Sequence, residues 1–192
     1  MKTKQILSLL DSFSQGVEYE ETAETTTRLN KGYQYFLGEE EDEEIYEKEL
    51  IILNSLILNK PVMDFRRYEV RVTSRKAKPL HSTLIPGQIS QLLYLTSNNS
   101  TFSPIEKAAI AQSGIYYIQP FEDGNKRTGR IFMDKLLFEN KLLVPKYKSR
   151  EHYIDTLFEI SNNLKEEKKK GNSFLHNTNS YKPLIKIIEE SQ

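Results

Sequence analysis

The chain has 192 residues, 27 Lys plus Arg against 27 Asp plus Glu, and no cysteine. That length suits one compact domain with a real core. The balanced charge gives no global field toward nucleic acid or an acidic membrane, and the missing cysteines exclude disulfides and thiolate metal sites and fit a reducing cytoplasm.

The N-terminal apolar run is too short for a signal peptide and lacks a small-residue cleavage site. No stretch approaches the ~20 apolar residues of a membrane span, and there is no internal repeat. Ile6, Leu7, Leu9, Leu10 and Phe13 suggest a short amphipathic opening helix. Residues 14–32 carry little periodicity and read as a loop or a weak helix. The acidic run Glu39–Glu44 reads as a solvated first turn, because carboxylates suit a helix's positive end. Ile45, Tyr46, Leu50, Leu53 and Ile57 form a helical face, ended by Asn59-Lys60-Pro61.

Tyr68, Val70 and Val72 alternate with polar residues, a short strand signal, and a second extended piece over His81–Ile85 completes a hairpin. Pro86-Gly87 opens a helix carrying Ile89, Leu92, Leu93 and Leu95. Ser103-Pro104-Ile105-Glu106 is a capping box that starts a small-residue helix running to Ile118, where Pro120 stops it. A further helix begins near Asn125 or Lys126 and carries Ile131, Phe132, Leu136, Leu137 and Phe138. Ser149 caps another, with Tyr153, Ile154, Leu157, Phe158 and Ile160, whose charged end is Lys165–Lys170. Leu184, Ile185, Ile187 and Ile188 mark a last short helix. The expected fold is mostly α, a single helical domain with one small β-hairpin.

Residues 119–130, Gln-Pro-Phe-Glu-Asp-Gly-Asn-Lys-Arg-Thr-Gly-Arg, carry the chemistry. A loop running into a helix presents backbone N–H groups with partial positive charge. Gly124 lets the backbone approach a ligand closely. Arg127 and Arg130 lie three apart, on one helix face, and each suits bidentate bonds to phosphate. Asp123 suits Mg²⁺, which takes one or two carboxylates plus substrate phosphates. Phe121 and Pro120 anchor the loop, and Glu122 faces solvent. Any one of these alone would read as a cap or a surface ion pair; the ordered set reads as a polyphosphate site.

This stretch resembles the Fic family signature, His-Pro-Phe-x-Asp/Glu-Gly-Asn-Gly/Lys-Arg-x-x-Arg. The resemblance extends to Glu106–Ala109 and Tyr116–Ile118 before it, to Val70–Val72 and Leu80–Ile89, and to Ser149–Leu157. It covers roughly residues 60–165, leaving 1–59 as N-terminal helices and 166–192 as a C-terminal extension of one domain. It implies a Fic-type helical core with a hairpin flap, and transfer of AMP from ATP, with Mg²⁺, to a Ser, Thr or Tyr hydroxyl of a target protein. It implies that Asp123 holds the metal. Phe121, Gly124, Asn125, Lys126, Arg127, Gly129 and Arg130 then contact nucleotide, and Thr83, Leu84 and Ile85 dock the target. No nucleic-acid or membrane partner is implied. The setting is cytoplasmic, with a secreted effector left open.

Two departures stand out. Gln119 replaces the His that takes the proton in the family, and an amide cannot accept a proton near neutral pH. Losing a general base costs about 10²–10⁴-fold in rate. A natural pseudoenzyme, slow transfer by positioning and metal alone, and an engineered inactivation are the three readings left open. Lys126 stands where many members have Gly, a spelling that also resembles the Doc branch and its phosphoryl transfer; Arg130 favours AMP transfer. His81, in the flap, is the nearest replacement base, while His152 and His176 lie in later segments. An inhibitory Ser/Thr-x-x-x-Glu-Gly/Asn helix finds only weak candidates in Glu18 and Glu24, so a separate inhibitor protein stays open.

Overall fold

The computed structural model describes residues 23–38, 45–70, 79–97, 101–171 and 174–192. Among these are seven α-helices: α1 Ala23–Gly38, α2 Glu47–Leu58, α3 Ile85–Thr96, α4 Pro104–Ile118, α5 Asn125–Glu139, α6 Arg150–Lys169 and α7 Lys182–Glu189. The Ile6–Phe13 helix, the acidic run and residues 71–78 of the expected hairpin lie outside the described residues.

Helix α4 is the axis of the domain. Every residue from Ala108 to Ile118 is buried, including Ala108, Ala109, Ala111 and Gly114, whose small side chains let neighbours approach closely. Gly129 on α5 faces it: a Cβ there would lie 3.0 Å from the Gln112 carbonyl oxygen and 3.2 Å from the Ile115 Cβ. Side chains that enlarge this seam would overpack it, at about 1–3 kcal/mol each. Helices α1 and α2 close one side of α5 through Leu29, Tyr33, Phe36, Leu50, Leu53 and Ile57. Phe36 meets Phe132 of α5 edge-on, ring centroids 6.0 Å apart. Helices α6 and α7 close the far side through Tyr153, Leu157, Ile160, Leu184 and Ile188.

Local signals set most boundaries. The Ser103 hydroxyl accepts from the Glu106 amide at 3.3 Å, and the Glu106 carboxylate accepts from the Ser103 amide at 2.9 Å. Ser149 caps α6 by accepting from the His152 amide at 3.1 Å. Residues 23–32 are helical, because Leu29, Tyr33, Phe36 and Leu37 bury one face against α2 and α5; tertiary burial overrides the weak periodicity.

No strand occurs among the described residues. Tyr68–Val70 has no regular structure. The extended piece expected over His81–Ile85 is instead a 3₁₀ turn at Ser82–Leu84 that runs into α3. His81 caps that turn, its Nδ1 lying 3.4 Å from the Thr83 amide, and Pro86 sits in the first turn of α3. Both devices favour helix entry over a β edge. No helix among the described residues is long and apolar enough to cross a membrane.

Candidate functional site

The site begins where α4 ends. Gln119 closes the helix in the left-handed region, φ 51° and ψ 60°, with its amide donating to the Ile115 carbonyl at 2.9 Å. Its side chain is turned back: Nε2 donates to the Tyr116 carbonyl at 2.6 Å. Oε1 accepts no hydrogen bond from the described residues. The residue is 9% exposed, so it sits at the lip of the core and ends in an amide.

The loop that follows is tied from two directions. Asn125, nearly buried, turns its carboxamide back onto Phe121, accepting from the Phe121 amide at 2.9 Å and donating to the Phe121 carbonyl at 2.8 Å. Phe121 itself packs on Phe65, ring centroids 5.5 Å apart. Asn54 of α2 donates from Nδ2 to the Asp123 carbonyl and to the Thr128 hydroxyl, both at 3.0 Å. Between these ties Gly124 has φ 78°, and a Cβ there would lie 2.7 Å from Asn54 Nδ2. Only glycine fits that combination without strain. The first turn of α5 therefore opens outward from a rigid, crossed loop.

Asp123 and Arg127 stand at the outer lip. The Asp123 carboxylate is 67% exposed. Its Oδ1 accepts from the Gly124 amide at 2.6 Å and lies 3.5 Å from Arg127 Nη2. Its Oδ2 accepts nothing from the described residues. One exposed carboxylate beside a helix mouth fits Mg²⁺, which completes its shell with water and phosphate oxygens. No group of three or more acidic or His side chains forms a metal cage among the described residues. Lys126 is half-buried, and its carbonyl accepts from Gln112 Nε2 and the Tyr153 hydroxyl, each at 3.4 Å. A shallow, solvent-open cleft lies beside the loop, between Asn54, Leu58, Pro61, Met63, Phe121 and Asp123.

Several expected contacts lie elsewhere. Arg130 does not share an outer face with Arg127. It is wholly buried, with Nε 3.0 and 3.1 Å from the two Asp134 oxygens and Nη2 donating to the Pro145 carbonyl at 3.2 Å. Its guanidinium also lies over the Tyr147 ring at 5.1 Å. Burial, the largest single effect, pulls this guanidinium's pKa down, but the Asp134 carboxylate together with Tyr147, Tyr33 and Tyr153 outweighs it and the net shift is upward. The Tyr33 hydroxyl donates to the same carboxylate at 2.6 Å. Gly129 faces α4 and serves packing. Asn125 shapes the loop with its side chain. Ile85 is buried at the start of α3, leaving Thr83 and Leu84 exposed on a 3₁₀ turn in place of a strand edge.

His81 contacts Thr83 Oγ1 at 2.9 Å through Nδ1 and lies 3.7 Å from Glu69 through Nε2, so both ring nitrogens belong to the loop around it. Glu24 falls in α1, and Glu18 lies outside the described residues. The residues missed from sequence are Asn54, Arg66, Tyr33 and Asp134. Only Asp134 carried a usable signal, its i,i+4 spacing from Arg130.

A Fic/DOC family model matches residues 44–137. The probable protein adenylyltransferase aq_aa38 of Aquifex aeolicus is 29% identical over 156 residues, covering 76% of this chain and 45% of that protein. A protein adenylyltransferase Fic of Drosophila melanogaster is 32% identical over 99 residues, covering 47% of this chain and 19% of that protein. The chain thus spans less than half the length of these relatives. Among solved structures, a Fic-domain signalling protein from Bacteroides thetaiotaomicron superposes with TM-score 0.73 at 17% identity, over 91% of this chain and 71% of that one. IbpAFic2 in complex with adenylylated Cdc42 superposes with TM-score 0.68 at 12% identity, over 96% of this chain and 62% of that one. These two likenesses show the fold. These matches, with the 119–130 loop and helix start inside the matched region, place a Fic/DOC domain over residues 44–137.

Proposed function

We propose that this chain holds Mg-ATP at the mouth of α5 and is built to transfer AMP to a protein hydroxyl, with turnover suppressed by the amide at position 119. One observation carries this reading: the Phe121–Asn125 and Asn54–Asp123 ties shape the phosphate loop without using the Gln119 side chain. Binding and proton transfer are therefore separable here.

The first-turn amides of α5 and the Arg127 guanidinium would take the phosphates. Asp123 Oδ2 would hold the Mg²⁺, which supplies charge neutralisation for the departing pyrophosphate. The hydroxyl oxygen of a target Ser, Thr or Tyr bonds to the α-phosphorus, and the bond to the bridging oxygen breaks. The hydroxyl proton needs an acceptor, and Gln119 is not one. With Arg130 in the core, that residue no longer argues for AMP transfer over phosphoryl transfer. The preference rests instead on relatives named as adenylyltransferases and on a fold neighbour captured with adenylylated Cdc42.

A second reading, a nucleotide-holding protein that transfers nothing, is favoured by the Gln119 Nε2 bond to Tyr116, which fixes the amide in place. Titration calorimetry with Mg-ATP tests what the two share. Saturable binding to the native chain is expected. No heat from the native protein, and none after Gln119→His, would leave the loop without a nucleotide role.

A further inference from the structure

Arg66 makes an unusual set of bonds. It is 4% exposed, yet none of its hydrogen bonds goes to a carboxylate. Nε donates to the Gln119 carbonyl at 2.6 Å. Nη2 donates to the Leu80 carbonyl at 2.6 Å and lies 3.4 Å from the Ile118 carbonyl. Nη1 donates to the Tyr68 carbonyl at 2.8 Å. Its backbone amide donates to the Pro120 carbonyl at 2.9 Å. One residue thus reads three successive carbonyls, 118 to 120, at the negative end of α4, where a cation is favoured. The same guanidinium joins Tyr68 to Leu80, twelve residues apart in sequence.

Two further bonds close that neck. The Ser82 amide donates to Glu69 Oε1 at 3.0 Å, and the Ser82 hydroxyl donates to the Arg67 carbonyl at 3.3 Å. Both of these are exposed, whereas the Arg66 bonds to Gln119 and Leu80 are buried. A planar fork with five donors in fixed directions can hold carbonyls on two sides at once; an ammonium on a flexible stem cannot.

We infer that Arg66 is a positioning residue that sets Tyr68, Leu80 and the Thr83–Leu84 turn after them against position 119. This deepens the AMP-transfer reading and rests on it. That turn would present the target hydroxyl, and position 119 is where its proton would be taken. Arg66 fixes the distance between them and holds residue 119 in its left-handed conformation, without touching the phosphate loop's own ties.

The test compares the native chain, Arg66→Lys and Arg66→Ala by hydrogen exchange, and Gln119→His with Gln119→His/Arg66→Lys by transfer of α-labelled AMP to lysate proteins. For Arg66→Lys, exchange should rise at least tenfold in peptides covering 67–70, 79–84 and 116–120. Peptides from α6 and α7 should stay unchanged, and Mg-ATP affinity should stay within about twofold. The double variant should transfer at least tenfold more slowly than Gln119→His. Unchanged exchange around 67–84, or faster exchange throughout the molecule, overturns the inference; the latter makes Arg66 merely structural. Transfer at the Gln119→His rate by the double variant also overturns it. No transfer by Gln119→His itself sinks the underlying reading, and the positioning role with it, while the exchange result still reports whether the clasp exists.

Discussion

Arg130 and Asp134 pair one helical turn apart inside the core, the arginine Nε within 3.1 Å of both carboxylate oxygens and neither side chain more than 1% exposed. Removing one partner of such a pair strands the other charge, at a cost of about 3–5 kcal/mol. Arg130→Ala and Asp134→Asn should each lower stability by that order, read from the urea midpoint. Replacing both by apolar residues of similar volume should recover much of the loss. A midpoint unmoved by Arg130→Ala would place this guanidinium outside the core.

Arg127 behaves oppositely. Its contact with Asp123 is 3.5 Å long at an exposed carboxylate, and such pairs contribute about 0–1 kcal/mol. Arg127→Ala should leave the melting temperature nearly unchanged and weaken Mg-ATP binding about tenfold or more, the worth of a charge-assisted bond to phosphate. Calorimetry and a thermal scan on the same sample decide it. Equal affinity in both proteins would remove Arg127 from the site.

Gly124→Ala meets two obstacles at once. A left-handed φ costs a non-glycine residue about 1–2 kcal/mol, and the new Cβ would press on Asn54 Nδ2. Asn54 also holds the Asp123 carbonyl, so the loop should move with it. A stability loss of at least about 1 kcal/mol, with weaker Mg-ATP binding, is expected. Asn54→Ala should weaken binding in the same direction without the backbone strain.

Four tyrosines set an alkaline limit. Burial raises the pKa of Tyr33, Tyr117, Tyr147 and Tyr181, and at Tyr33 the Asp134 charge adds to it. A raised folded-state value means the neutral phenol is favoured by folding. That contribution is fully present below the unfolded tyrosine value of about 10 and is lost as pH climbs above it. Phenolate absorbance near 295 nm should therefore show these four tyrosines staying protonated in the folded protein above the ordinary tyrosine range and appearing together on unfolding. A single smooth titration of all tyrosines in the folded protein would contradict their burial.

Much of the helical frame was legible because its signals are local. Ser103, Pro104 and Glu106 announce α4, and Ser149 announces α6, in residues a few positions apart. The hairpin was expected because Tyr68–Val72 alternates like a strand; among the described residues Tyr68–Val70 is irregular, and His81 and Pro86 steer residues 82–96 into a turn and helix. The 119–130 loop was legible as a motif but not as a shape. Its form depends on Asn54, nearly seventy residues from Asp123 in sequence, and no spacing rule reaches that far. Arg130 shows the reverse: a charged residue in a binding motif reads as ligand-facing, and beyond the i,i+4 spacing of Asp134 only the packed structure reveals Tyr33 and the Pro145 carbonyl around it. Arg66 carried no signal, since its partners are all backbone oxygens.

Incubation of the native chain and of Gln119→His with Mg²⁺ and ATP labelled at the α- or the γ-phosphate, in a cell lysate, bears most directly on a phosphate cradle complete except for its base. The expected result is α-label on protein, raised about 10²–10⁴-fold by the histidine, and no γ-label. Gln119→His that folds, binds Mg-ATP and still labels nothing, or that transfers the γ-label, would contradict it.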